Sequence, residues 1–303
     1  SSGSRAFGNE RSFDFAQDDG GSAWDDGGSA QDDEQGAVML TGIDHIAIAV
    51  DDLDTADRAF EAAGFRVTPG GSHPTGTHNA LIPFADGTYL ELIAIEDPVL
   101  GADHPWFQRM AGKQGFVAFA VAADPLDYEL ARLASMEIIS VNSRDGARQR
   151  PDGQQLRWKS SDLASDPPVF LPFLIQDVTE RRLRVPSGKE TNHPNGVQGT
   201  TGLTILTEDL ESARAAYGKL FSAPMAALDH GFEGVQQSWR YTCGQNWIDL
   251  IQSLSAGSPL AGYFATYGAG IYQISLTVEN SLEFPPNRID IPGFPDLHVL
   301  VTN

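Results

Sequence analysis

GIDHIAIAVDDLDTADRAFEAAGFRVTPGGSHPTGTHNALIPFADGTYLELIAI, residues 42–95, reads as one structural unit in the order strand, helix, strand, strand, strand. Residues 45–50 form a short strand that ends at the acidic turn Asp51-Asp52, and residues 55–63 place Ala56, Phe60 and Ala63 at helical spacing. Gly64 stops that helix. A second strand is predicted over 65–68, a loop over the breakers Gly70, Gly71 and Pro74, a third strand over 79–84, a turn at Asp86-Gly87 and a fourth strand over 88–95.

Two residues of this unit are chemically out of place. Period-two alternation puts His45, Ala47 and Ala49 on one face of the first strand and Ile46, Ile48 and Val50 on the other, so the histidine has open space beside it. On the fourth strand Tyr89, Glu91 and Ile93 share a face inside an apolar run, where an unpaired carboxylate costs on the order of several kcal/mol. Glu91 therefore needs a partner. A metal ion, a protonated histidine or an arginine would each serve, and the first and fourth strands could bring His45 and Glu91 together.

DHIAIAVDDLDTA followed by THNALIPFADGTYLELIAI resembles the first βαβββ module of the vicinal oxygen chelate superfamily, in its glyoxalase-like branch. The resemblance implies an α+β fold of repeated βαβββ modules paired into curved mixed sheets, as in glyoxalase, bleomycin resistance protein and dihydroxybiphenyl dioxygenase. It implies that His45 and Glu91 are metal ligands for a divalent ion such as zinc, nickel, manganese or iron, with Glu91 also the candidate catalytic residue.

The pattern returns downstream. A connection over 96–114 contains DHPWFQRM, whose Pro105, Trp106 and Phe107 are expected to cap the bowl or pack beneath it. GFVAFAVAADPLDYELARLASMEII, from Gly115, gives a strand, a turn at Asp124-Pro125 and a helix over 126–136. NSRDGARQRPDGQQLRWKS carries two strands around the turn at 150–153, and VFLPFLIQD supplies the last. Aligning Ala120-Val121 with Ala49-Val50 puts Phe116 at the position of His45 and Pro172 opposite Glu91, so this second module lacks both ligands.

Arginines concentrate there at Arg144, Arg148, Arg150 and Arg157. Gln155, Arg157 and Lys159 alternate with Leu156 and Trp158. With the basic face lining the bowl, Arg148 and Arg157 become candidates to hold a carboxylate or phosphate of the substrate through paired hydrogen bonds. ARQRPDGQQLRW resembles the second-module hairpin of the same branch. His73 and His78 flank the loop GSHPTGTHN, and either could turn toward His45 and Glu91; His78 is the further substrate-binding candidate.

GLTILTEDLESARAAYGKLF, from Gly202, repeats the first strand, acidic turn and helix, and NWIDLIQS repeats TYLELIAI. Gly202 falls at the His45 position and Asp249 at the Glu91 position. From Gly270 a strand, a Pro-rich stretch and HVLV read as a reduced fourth module with no amphipathic helix. The expected organisation is an acidic disordered tail over 1–38, a first glyoxalase-like unit over 39–177, a linker over 178–196 and a second unit over 197–303. The tail repeats QDDGGSA, WDDGGSA and QDDEQGA with almost nothing to bury, and reads as an extension before a natural start at Met39.

The balance of 20 basic against 41 acidic residues, a net charge of -21, argues against nucleic acid and anionic membrane as partners. Cys243 is the sole cysteine, which excludes an intramolecular disulfide and fits the reducing cytoplasm. Cys243 reads as a structural thiol, and Asp51, Asp52 and Asp54 as helix-capping residues. The function expected is a small-molecule enzyme of lyase, isomerase or dioxygenase type, with a homodimer as a further partner to consider. The competing readings are a non-catalytic small-molecule or drug-binding protein of the same fold and a silent scaffold.

Overall fold

A computed structural model describes residues 40–104, 106, 113–223, 225–228, 235, 237–252, 255–278 and 288–302. The first module is β1 (Ile43–Ala49), α1 (Leu53–Ala62), β2 (Thr68–Ser72), β3 (Thr77–Pro83) and β4 (Tyr89–Ile95). Asp52 caps α1 by accepting the Thr55 N–H at 2.8 Å, and Leu53, Ala56 and Phe60 turn its apolar stripe onto the sheet. The second module is β5 (Gly115–Ala122), α2 (Leu126–Ala134), β6 (Ile139–Gln149), β7 (Gln155–Ala164) and β8 (Phe173–Asp177).

These eight strands close into a barrel in the order β1-β4-β3-β2-β6-β7-β8-β5. The two modules meet at two seams of unequal strength. β1 and β5 run antiparallel in register from Ile43↔Val121 to Ala49↔Gly115, whereas β2 meets β6 through the single pair Ser72↔Gln149. Here the expected loop is strand: β2 contains Gly70 and Gly71. A Cβ on Gly71, at φ +139°, would stand 1.9 Å from the Gln149 carbonyl oxygen, so glycine marks a close strand approach and not a breaker.

The remaining chain supplies α3 (Arg181–Arg184), β9 (Val197–Leu206), α4 (Leu210–Phe221), β10 (Met225–Leu228), β11 (Ser238–Cys243), β12 (Asn246–Ile251), α5 (Pro259–Tyr267), β13 (Gly270–Val278), β14 (Arg288–Ile289) and β15 (His298–Thr302). Its strands form a seven-stranded sheet, β10-β11-β12-β9-β13-β15-β14. One apolar core joins the outer face of the barrel, including Ile46, Ile48 and Phe60, to Leu203, Tyr217 and Ile274 of this second half. The whole is the α+β arrangement of βαβββ modules in curved mixed sheets that the first module implied.

The segment over 178–196, read from sequence as a linker, is docked on the barrel. His193 accepts the Arg66 N–H at 2.9 Å on Nδ1 and donates from Nε2 to the Pro83 carbonyl at 2.9 Å. Asn195 donates to the Ala63 carbonyl at 3.0 Å. The tail, Pro105, Phe107 and the stretch 279–287 of the fourth module lie outside the described residues. Among the described residues no helix is long and apolar enough to cross a membrane.

Candidate functional site

The barrel encloses a cavity of about 590 Å³. β1 and β4 are parallel neighbours in the register His45↔Tyr89 and Ala47↔Glu91, which turns His45 and Glu91 onto the same inward face. His45 Nε2 lies 3.3 Å from Glu91 Oε2, and Nδ1 donates to Asp44 Oδ1 at 2.7 Å. Asn79 donates to Glu91 Oε1 at 2.5 Å. Tyr89 stacks on the imidazole with ring centroids 4.6 Å apart. The partner that the buried glutamate required is thus the histidine, supplemented by an amide.

An imidazole between two carboxylates is best satisfied with both nitrogens protonated. Burial pushes His45 down, but the hydrogen bonds and charges of Asp44 and Glu91 outweigh it and raise the group above 6.5. Burial pushes Glu91 up, yet the His45 hydrogen bond and charge hold it at about 2. Each shift has its own pH window. The stability contributed by His45 is fully present below 6.5 and is lost as pH rises through its higher folded value. That contributed by Glu91 is fully present above 4.5 and is lost as pH falls toward about 2. The stability gap between the protein and a Glu91→Gln variant, measured by urea unfolding, is therefore expected to be widest between pH 4.5 and 6.5. A gap that does not vary with pH would refute the ion pair.

Behind His45, Asp44 is gripped by α3. Arg184 donates from Nη1 to Asp44 Oδ1 and from Nη2 to Asp44 Oδ2, both at 2.9 Å, and from Nη1 to the Tyr89 hydroxyl at 2.7 Å. It also binds Asp177 at 2.5 and 2.9 Å, while Arg181 makes a second ion pair with Asp44. Although burial pushes Asp44 up, Arg184 and His45 hold its carboxyl well below the usual range. Sequence reasoning missed Asp44 and Arg184. The available signals were a carboxylate adjacent to the candidate histidine and the basic run RRLR at 181–184.

The other sequence candidates divide between inside and outside. Arg148 lines the cavity, buried at 4% exposure, with Nη2 donating to the Arg184 carbonyl at 3.0 Å and Nη1 to Asn79 Oδ1 at 3.4 Å. Arg157 does not reach the cavity: it is exposed on the outer face of β7. The pairs Arg144↔Ser160 and Gly146↔Trp158 show that the face carrying Trp158 points inward, because burying the indole is favourable and burying Arg157 and Lys159 would strip two cations of water. His78 is likewise on the wrong face of β3, since Thr77 and Asn79 on either side of it line the cavity. His73 does line it, sharing a hydrogen bond with Thr77 Oγ1 at 2.9 Å, and burial drives its imidazole down to about 4. Trp106, Trp158, Phe173 and Ile93 supply apolar wall.

The register corrects the alignment of the second module. The pairs His45↔Ala120 and Ala47↔Ala118 exchange under a local two-fold, so Ala118 and not Phe116 is the counterpart of His45. Ala120 pairs with Phe173 as Ala47 pairs with Glu91, so Phe173 and not Pro172 is the counterpart of Glu91. In the third module Thr204 pairs with Asp249, which Arg240 binds at 2.6 and 2.7 Å. A Cβ on Gly202 would stand 2.2 Å from the Trp247 ring, which fills the space a histidine would need. Cys243 is buried, and burial pushes its thiol up to about 12, away from nucleophilic duty.

These residues do not fit a resident divalent metal. His45 and Glu91 offer one donor each toward the cavity, Ala118 and Phe173 offer none, and the described residues contain no group of three His, Cys, Asp or Glu placed to hold an ion. Millimolar zinc, nickel or manganese is therefore expected to leave the melting temperature unchanged. A rise abolished by His45→Ala would show that two donors suffice.

Comparison with known proteins agrees with the fold. The glyoxalase-like domain family matches residues 43–221. No curated protein matches the chain in sequence. Among solved structures, a hypothetical protein from Staphylococcus aureus superposes with TM-score 0.65 at 14% identity, over 86% of this chain and 98% of that one. A xylose isomerase-like TIM barrel/4-hydroxyphenylpyruvate dioxygenase fusion protein gives 0.52 at 15% identity over 80% of this chain, which spans 37% of the fusion. A mutant 4-hydroxymandelate synthase from Streptomyces coelicolor gives 0.52 at 13% identity over 80% of this chain and 72% of that one. Identities this low carry the fold and not the reaction.

Proposed function

Because the chain belongs to the glyoxalase-like domain family, we propose that its barrel cavity binds a small organic molecule and moves a proton within it, with His45 as acid and Glu91 as base. The observation that carries this reading is the His45–Glu91 pair at the cavity floor, 3.3 Å apart and held from behind by Asp44. The substrate class that suits it is an α-hydroxy carbonyl compound. The His45 imidazolium hydrogen-bonds to the carbonyl oxygen, and Glu91 takes the proton from the adjacent carbon. As the C–H bond breaks, its electron pair forms the enediol double bond, and the His45 proton passes to the oxygen. Glu91 then returns its proton to the neighbouring carbon while the original hydroxyl gives its proton to the neutral His45 and becomes the new carbonyl, which completes an isomerisation and restores both residues.

A carboxylate held at about 2 is a weak base at rest. Its low value comes from the His45 hydrogen bond and charge, and a substrate carbonyl that takes over that bond releases Glu91 to a more basic range. Arg148 is the cationic wall residue of this reading, and the aromatic wall receives the apolar part of the substrate.

A second reading, binding without turnover, is favoured by the mutual satisfaction of His45, Glu91 and Asn79. Proton NMR in D₂O separates the two. Loss of the α-proton signal of an aryl-substituted α-hydroxy carbonyl compound, dependent on the protein, supports the enzyme. Saturable binding with the signal intact supports the binding protein.

A further inference from the structure

We infer that the ligand of the barrel cavity is a monocarboxylic acid with a flat apolar body, whose carboxylate sits on Arg148 and whose reacting carbon is adjacent to that carboxylate. This deepens the proton-transfer reading of the same cavity and rests on it for the word reacting, though not for the binding.

Among the described residues the buried charges of the barrel are matched, with one exception. Asp44 pairs with Arg184, Glu91 with His45 and Glu129 with Arg132. Arg148, equally buried, makes no ion pair among the described residues. Its hydrogen bonds go to neutral acceptors, the Asn79 amide oxygen at 3.4 Å and the Arg184 carbonyl at 3.0 Å, and its Nε has no partner. A guanidinium stripped of water with no anion in hydrogen-bond contact is held at a cost that a bound carboxylate would offset, through the paired geometry for which arginine is suited. Burial lowers its pKa in the same sense.

Asn79 fixes where the rest of the ligand falls. One end of its amide accepts from Arg148 and the other donates to Glu91, so the cation and the base stand one amide apart on the same wall. A carboxylate on Arg148 brings the next carbon of the ligand toward Glu91. The nearby Glu91 carboxylate disfavours a phosphate dianion, and Trp106, Trp158 and Phe173 favour a planar apolar remainder.

Isothermal titration with three probes of similar body tests this: phenylacetate, 2-phenylacetamide and benzyl phosphate. The protein is expected to bind phenylacetate at least about tenfold more tightly than the amide or the phosphate. In Arg148→Met the acid-to-amide ratio is expected to collapse to about one with amide affinity retained, which reports an intact cavity, and Arg148→Lys is expected to restore part of it. Equal binding of acid and amide, preference for the phosphate, failure of all three probes, or a preference that survives Arg148→Met overturns the proposal. Acid binding intact in Glu91→Gln while α-proton exchange is absent from the protein itself would sink the proton-transfer reading alone.

Discussion

Glu91→Gln is expected to slow α-proton exchange by about 10²- to 10⁴-fold, the range for removal of a general base from a formed site. Glutamine keeps the volume and can still accept from Asn79, so cavity shape and ligand affinity are expected to hold while the rate falls. The loss belongs in kcat and not in KM, because the proton is taken only in the transition state. His45→Gln is expected to cost a similar factor by removing the acid. The double variant is then expected to be little worse than either single one, as befits residues acting as a unit. A Glu91→Gln protein that exchanges within a few-fold of the parent rate would remove Glu91 from the chemistry.

Arg184→Met is expected to destabilise the fold by about 3–5 kcal/mol, the cost of breaking a buried ion network and leaving its carboxylates behind. Arg184 is 3% exposed and binds both Asp44 and Asp177, so the variant strands two anions, one of them wholly enclosed. For a domain of this size that corresponds to a fall in melting temperature on the order of 10 °C. A variant that also carries Asp44→Asn and Asp177→Asn is expected to recover much of the loss, since the uncompensated charges are gone. An unchanged melting temperature for the single variant would show that Arg181 or water suffices to hold Asp44.

What was legible in the sequence followed from local periodicity. The β1 alternation put His45 beside Ala47 and Ala49, the apolar run of β4 exposed Glu91 as anomalous, and these two signals found the pair that the structure joins. Sequence could not give the face of β7. Arg157 and Trp158 define two faces, and the hairpin with β6 is compatible with either; which one turns inward is decided only when β6 meets β2 and β8 meets β5 to close the barrel. The same applies to β3, where His78 and Asn79 differ by one residue and therefore by inside and outside. Arg184 escaped because it comes from a segment without periodicity, and its burial depends on Asp44, Asp177 and Tyr89 meeting it from three separate strands. The alignment slip at Phe116 arose because matching the two Ala-Val pairs sets β5 two residues off the correspondence that its pairing with β1 defines, which residue counting does not see.

The single Ser72↔Gln149 pair between β2 and β6 gives the barrel a mechanical character that its closed outline hides. A ring is as stiff as its weakest joint, and here one joint is a long antiparallel ladder while the other is a single rung. Parting that rung turns the cylinder into a trough without disturbing the β1–β5 ladder. His73 follows β2 and Arg148 lies near the end of β6, so the trough opens beside two cavity-lining residues. The weak joint is thus the stretch of wall beside the cavity that the fewest backbone hydrogen bonds hold, and Gly71 is what allows its two backbones to touch.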